Sequence, residues 1–209
     1  MLTLIIGDKN LSSWSLRPWL LLRHLGLDFT EVKLTLDTPG FKTSIDRYTP
    51  AGRVPVLIDG NLSVWDSLAI AEYLNEKCQG KGWPADAVQR AHARSISAEM
   101  HSGFSGLRGC WPMKAAERHE HVKLSPAAAA DVARIDQIWQ ECRTSNGSGS
   151  GPWLFGEYSI ADAMYAPVVL RFNTYGARLS PAADAYMKHA LNDAHLRAWL
   201  GDAEKEIAT

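Results

Sequence analysis

Three short segments carry groups whose types and spacing can do chemistry. Leu11-Ser12-Ser13-Trp14-Ser15 precedes Leu16, Trp19, Leu20 and Leu22, an apolar run with helical spacing. At a helix start, unpaired N–H groups and the positive end of the dipole favour an anion. A serine hydroxyl of this segment can also donate a hydrogen bond to a thiolate, and both effects lower a thiol's pKa. Plain helix capping by the same serines is the competing reading. Asp66-Ser67 repeats the arrangement at a second helix start. There a free N–H and the Ser67 hydroxyl suit a carboxylate, and Asp66 suits an ammonium group, which together fit the α-amino-acid end of a ligand. Val54-Pro55 offers backbone: a proline opening a strand can leave the Val54 N–H and C=O free for an extended peptide, and the bond can be cis.

Other reactive residues stand apart from these segments. His101 can act as a general acid or base, although a packed structural histidine is the simpler reading of a lone ring. His119-Glu120-His121 lacks the spacing of a zinc helix and reads as a solvated loop. Cys78, Cys110 and Cys142 are far apart and form no metal-ligand pair, so neither a metal nor a disulfide framework is expected.

The elements that must position these groups alternate in the first half. Leu2 to Ile6 is a short apolar strand, and a helix begins near Ser13 to Ser15 with Pro18 early in it and Gly26 past its end. Alternation at Val32, Leu34 and Leu36 predicts a second strand, and Phe41 to Tyr48 a short helix. Val54 to Ile58 predicts a strand that turns at Asp59-Gly60 into Leu62 to Trp65. A helix follows from Asp66-Ser67, with Leu68, Ala71, Leu74 and Cys78 as its buried face, beside Ile70 and Tyr73. The order is β-α-β-α-β-β-α over residues 1–79. Residues 80–84 (GKGWP) read as a linker, and residues 85–209 as an all-helical domain. Its helix starts include Ser125-Pro126, Ser180-Pro181 and the Ser159-x-x-Asp162 box, and Thr144 to Gly151 reads as a flexible connection.

Bulk composition narrows the function classes. In 209 residues, 46% are hydrophobic and 22% charged, which suits a folded globular chain. Twenty-two Lys and Arg against 23 Asp and Glu give a net charge of -1, so no overall field points to nucleic acid or an anionic membrane. No apolar run reaches the roughly 18 residues of a spanning helix, and the N-terminus lacks the basic leader of a signal peptide. A cytoplasmic location is the expectation. Eight tryptophans are numerous enough that several should be packed or should line a concave site.

In combination the motifs resemble the cytosolic glutathione transferases. The resemblance rests on Ala51-Gly52-Arg53-Val54-Pro55-Val56-Leu57, then Asp66-Ser67-Leu68-Ala69-Ile70, with the serine-rich start before them and the Ser159-x-x-Asp162 box after them. It covers almost the whole chain and implies a thioredoxin-like N-terminal domain, a helical C-terminal domain, a cis Val54-Pro55 bond and a homodimer. It also implies that glutathione binds across Trp14, Lys42, Arg53, Val54, Pro55, Asp66 and Ser67, with no metal. The start looks most like serine-type members, including the zeta class. Zeta-like alignment favours Ser12 as the hydroxyl that steadies the thiolate, whereas the Ser-x-x-x-Arg spacing to Arg17 favours Ser13. Trp14 replaces the cysteine of the zeta Ser-Ser-Cys start, which removes a mixed disulfide at that position. The expected activity is transfer of glutathione to a small apolar electrophile, in a pocket formed by Met100, His101, Phe104, Arg108 and Trp111. A glutathione-dependent isomerase or peroxidase and a non-catalytic docking module are the alternatives.

Overall fold

The computed structural model describes residues 1–119, 121–145 and 151–208. Glu120 and most of the Thr144–Gly151 connection lie outside the described residues. Strand β1 (Leu2–Ile6) leads through a polar loop to helix α1 (Ser13–His24), then to β2 (Phe29–Lys33), α2 (Phe41–Ile45), β3 (Val56–Asp59), β4 (Leu62–Trp65) and α3 (Ser67–Lys77). The strands form one mixed sheet in the order β2-β1-β3-β4, with β1 parallel to β2 and antiparallel to β3. Together with α1 and α3 this is the thioredoxin-like arrangement.

Local chemistry explains most boundaries. Gly26 takes φ +66° just past α1, and Gly60 takes φ +58° in the β3–β4 hairpin, conformations that glycine adopts without steric cost. Pro18 falls inside α1 rather than in its first turn, so the Trp14 carbonyl loses its usual intrahelical donor. The second strand lies earlier than its alternation suggests. It pairs from Leu2↔Phe29 to Ile6↔Lys33, after which Leu36 N–H turns to Asp8 Oδ2 at 2.7 Å. As a half-exposed edge strand, β2 carries its pairing in a segment whose polar residues mask the period. Helix α2 stops at Ile45, and β3 begins at Val56 rather than Val54, because Pro55 has no N–H for the ladder. In α3 the buried face runs through Ser67, Ile70, Ala71, Leu74 and Asn75, with Leu68 and Cys78 at its edge.

From α3 onward the described elements are all helical: α4 (Ala87–Ser102), α5 (Ser105–Cys110), α6 (Pro126–Ser145), α7 (Ile160–Tyr175), α8 (Pro181–Leu191) and α9 (Ala194–Ile207). Helix α7 is buried almost all round, the pattern of a central helix. It packs against α1, α4 and α8, while α1 also meets α3 and α9. One apolar core therefore runs from Leu4 and Leu20 under the sheet to Met164 and Phe172 on α7. A smaller cluster, Ile5, Ile45 and Val56, fills the opposite face of the sheet. Trp19, Trp83, Trp111, Trp139 and Trp199 are buried. No described helix is long and apolar enough to cross a membrane.

Candidate functional site

The head of α1 is held by a short chain of hydroxyls. Ser12 Oγ donates to Ser15 Oγ at 2.7 Å, and Ser15 Oγ accepts the Gly7 N–H at 3.1 Å. The loop after β1 is thereby tied to the first turn of the helix. Ser12 makes no side-chain cap bond, so its hydroxyl does not consume the first-turn N–H groups. Ser13 stands beside this relay rather than in it, and both serines are buried.

Trp14 follows and is the hub of the site. The guanidinium of Arg17 lies 4.2 Å and that of Arg108 4.9 Å from its ring centroid, and the His101 ring meets it edge-on at 5.4 Å. Such contacts hold a large indole in one orientation. Arg108 is itself fixed by the carbonyls of Met100, His101 and Gly103 at the end of α4. There Phe104, at φ +59°, turns the chain into α5.

At the head of α3, Asp66 adopts φ +73° and its Oδ1 accepts the N–H groups of Leu68 and Ala69 at 2.8 and 3.2 Å. Its other oxygen lies 3.1 Å from His101 Nε2. Ser67 is 1% exposed, and its Oγ accepts a hydrogen bond from Arg17 Nη1 at 3.4 Å. Val54-Pro55 is cis, as the resemblance implies. These segments converge on a cleft of about 530 Å³ lined by Trp14, Arg53, Val54, Pro55, Asp66, Ser67 and His101, with Ala51 and Trp65 completing the wall.

Other expected site residues fall elsewhere. Lys42 is exposed and paired with Asp46 on its own helix turn. Met100, Phe104 and Trp111 are buried in the common core and do not line the cleft. Trp111 stacks on Tyr175 with ring centroids 5.2 Å apart, and its Nε1 donates to the Val122 carbonyl. A larger open cleft of about 870 Å³ beside residues 79–90 is rimmed by charges that are largely paired within the fold: Arg90 binds the Pro84 and Ala85 carbonyls, and Arg94 faces Glu72. Among the described residues no group of three or more His, Cys, Asp and Glu fits a metal ion.

Electrostatically the site is positive from beneath. Arg17 is 2% exposed; burial foremost, with Arg108 and Arg171 adding to it and Asp66 opposing, lowers its guanidinium to about 9. Burial and Arg108 lower Arg171 to about 10. The position of Arg17 under Ser67 was not foreseeable as part of the site, and the Ser-x-x-x-Arg spacing was its only signal.

A family model described as glutathione S-transferase, N-terminal domain, matches residues 11–77. A dichloromethane dehalogenase from Methylorubrum extorquens is 57% identical over 37 residues, a segment that is 18% of this chain and only 13% of that protein. A probable maleylacetoacetate isomerase from Caenorhabditis elegans is 30% identical over 175 residues, which cover 83% of this chain and 79% of that protein. Among solved structures, a glutathione transferase homologue from Burkholderia with bound glutathione superposes with a TM-score of 0.72 over 98% of both chains, at 22% identity. The near-complete match in fold and the long match in sequence agree with the motifs at the heads of α1 and α3: the chain belongs to the glutathione S-transferase family.

Proposed function

We propose that the protein binds glutathione in the Trp14 cleft and uses a hydroxyl of the Ser12–Ser13 pair to stabilise the glutathione thiolate for attack on a small apolar electrophile. The observation that carries this reading is the convergence of three complementary groups in one cleft. The Val54 backbone beside Pro55 suits the peptide, Ser67 a carboxylate, and Asp66 an ammonium group. Arg53, on the same wall, is the cation for a second carboxylate; Lys42 is already paired with Asp46.

Glutathione, when bound, supplies the sulfur nucleophile. The chain's own contribution is to bind, orient and keep the sulfur deprotonated. A free cysteine thiol has a pKa near 8.5, and lowering it by about two units needs roughly 2.7 kcal/mol of preferential stabilisation of the anion. One charge-assisted hydrogen bond from a serine and the dipole of α1 are of that size. The second substrate enters where Trp14, His101 and Arg108 meet, and holding both reactants there supplies much of the remaining rate.

A second reading, thiolate addition to a double bond followed by expulsion, is favoured by the 30% identity to a probable maleylacetoacetate isomerase. It uses the same site and returns the thiolate unchanged. Residues 1–79 are the glutathione-binding domain and residues 85–209 the second-substrate domain in either reading, and the active form is a homodimer. Calorimetric titration with glutathione, followed by chloroaromatic, peroxide, disulfide and maleyl substrates, tests the assignment. Turnover of a chloroaromatic supports transfer, and turnover of a maleyl compound alone supports isomerisation. Absence of glutathione binding leaves a docking role for the fold.

A further inference from the structure

Asn10 stands two residues before Ser12, and its polar groups all reach into the C-terminal helical region. Its backbone N–H donates to Glu206 Oε2 on α9 and its side-chain Nδ2 to Glu117 Oε1, both at 3.0 Å. Its carbonyl accepts the Ala115 N–H and its Oδ1 the Ala116 N–H, again at 3.0 Å. The residue is 6% exposed. The Asn10 side chain foremost, with His119 and Lys114 adding and burial opposing, holds the Glu117 carboxyl below its ordinary range. Its acceptor is therefore a carboxylate at neutral pH.

Both ends of this clamp are fixed. Behind Ala115 and Glu117, Thr174 on α7 donates its hydroxyl to the Lys114 carbonyl at 3.0 Å, and its own carbonyl accepts the His119 N–H at 2.9 Å. In front, the N–H groups of Leu11 and Ser12 both donate to the Asp8 carbonyl, at 3.1 and 2.7 Å, which closes a tight turn around Asn10. Leu11 is exposed and gives that turn no apolar anchor. A shift of Asn10 is thus passed to Ser12 and to the first turn of α1. An apolar side chain could fill the same space, whereas a fully satisfied buried amide also fixes orientation. Orientation matters here, because a hydrogen bond to a sulfur weakens steeply with misalignment.

We propose that Asn10 is a positioning residue for the reaction: clamped by Glu117, it lets the C-terminal region set where the Ser12 and Ser13 hydroxyls stand relative to the bound sulfur. Asn10 itself lines no part of the Trp14 cleft. The proposal rests on the serine–thiolate reading and adds to it a residue outside the cleft.

The test follows the ultraviolet absorbance of bound glutathione against pH, with calorimetric binding of S-methylglutathione, which has no thiol, as the control. Asn10→Ala removes both side-chain bonds and adds no charge. It is expected to raise the pKa of the bound thiol by about one unit, a tenfold loss of preference for the thiolate, with affinity for S-methylglutathione nearly unchanged. Asn10→Asp combined with Glu117→Gln keeps the net charge and restores the bond with donor and acceptor exchanged, and it is expected to recover most of that shift. A merely structural clasp lowers the melting temperature and leaves the thiol pKa at the wild-type value, and that outcome overturns the proposal. So does an exchanged pair that stays at the Asn10→Ala value. If circular dichroism finds Asn10→Ala unfolded, Glu117→Ala takes its place: loss of a negative charge alone lowers the thiol pKa, whereas loss of the clamp raises it. A wild-type protein whose bound thiol titrates like free glutathione overturns the serine reading and this proposal with it. A lowered wild-type value that the variant leaves unmoved overturns the role of Asn10 alone.

Discussion

His101 Nε2 stands 3.1 Å from Asp66 Oδ2, so a side chain at the end of α4 closes on the head of α3 across the cleft. Asp66 thus has two jobs on two oxygens: Oδ1 caps α3 through Leu68 and Ala69, and Oδ2 faces the His101 ring. Replacing it by Asn preserves a cap acceptor and removes the charge. Asp66→Asn is expected to weaken glutathione binding by roughly tenfold or more, the size of one charge-assisted bond, with an unchanged far-ultraviolet dichroism spectrum. Equal affinities by calorimetry remove Asp66 from the ammonium site.

The serine pair is tested at the sulfur. Ser12 is already engaged with Ser15, and Ser13 lies outside that relay, so a double substitution removes whichever hydroxyl serves. Ser12→Ala combined with Ser13→Ala is expected to raise the pKa of bound glutathione by about one to two units, towards the value of a free thiol. The ultraviolet absorbance of the thiolate, followed against pH, measures this directly. A titration that superimposes on that of wild type ends the role of both serines.

What could be read from residue order was what local chemistry decides. The head of α1, the Asp59-Gly60 hairpin, the Ser-Pro helix starts and the Asp66-Ser67 junction each depend on a few neighbouring residues, and each was visible for that reason. The second strand was placed three residues late because β2 is an edge strand whose half-exposed positions blur the alternation. The inward turn of Met100, Phe104 and Trp111 could not be separated from a pocket wall, since both need the same apolar helical spacing. The burial of Arg17 depends on α1 packing against α7, and the meeting of His101 with Asp66 joins residues from separate helices. The Ser13-x-x-x-Arg17 spacing hints at the first, and the second leaves no local trace.

The cysteines should divide by burial. Cys142 is fully buried and its thiol is pushed up to about 12, chiefly by desolvation, with Asp162 and Glu141 adding to it. Cys78 and Cys110 are half-buried. A chromogenic disulfide reagent at pH 8 is expected to label Cys78 and Cys110 in the native protein and Cys142 only after denaturation, because the thiolate is the reactive form. Peptide mapping that finds Cys142 modified in the folded protein contradicts this assignment.

Asp162 gives a pH-dependent test of the helical core. Its carboxyl is 2% exposed and accepts the N–H groups of Leu154 and Ser159 at 3.0 and 2.9 Å, which joins the 151–157 segment to the start of α7. Burial nevertheless dominates and raises it from 3.8 to about 6. Between those two values the folded protein holds a proton that the unfolded chain has released. Stability therefore falls as pH rises through that window, by an amount of order 3 kcal/mol for two units. Asp162→Asn does not titrate and leaves an N–H group poorly paired, so it is expected to be less stable than wild type by about 2–4 kcal/mol near pH 4. The gap should narrow as pH rises to 6.5, and urea unfolding of both proteins across that range measures it. A gap that widens with pH contradicts the raised carboxyl. Glutathione affinity of the folded variant is expected to be unchanged, because Asp162 lines no part of the Trp14 cleft.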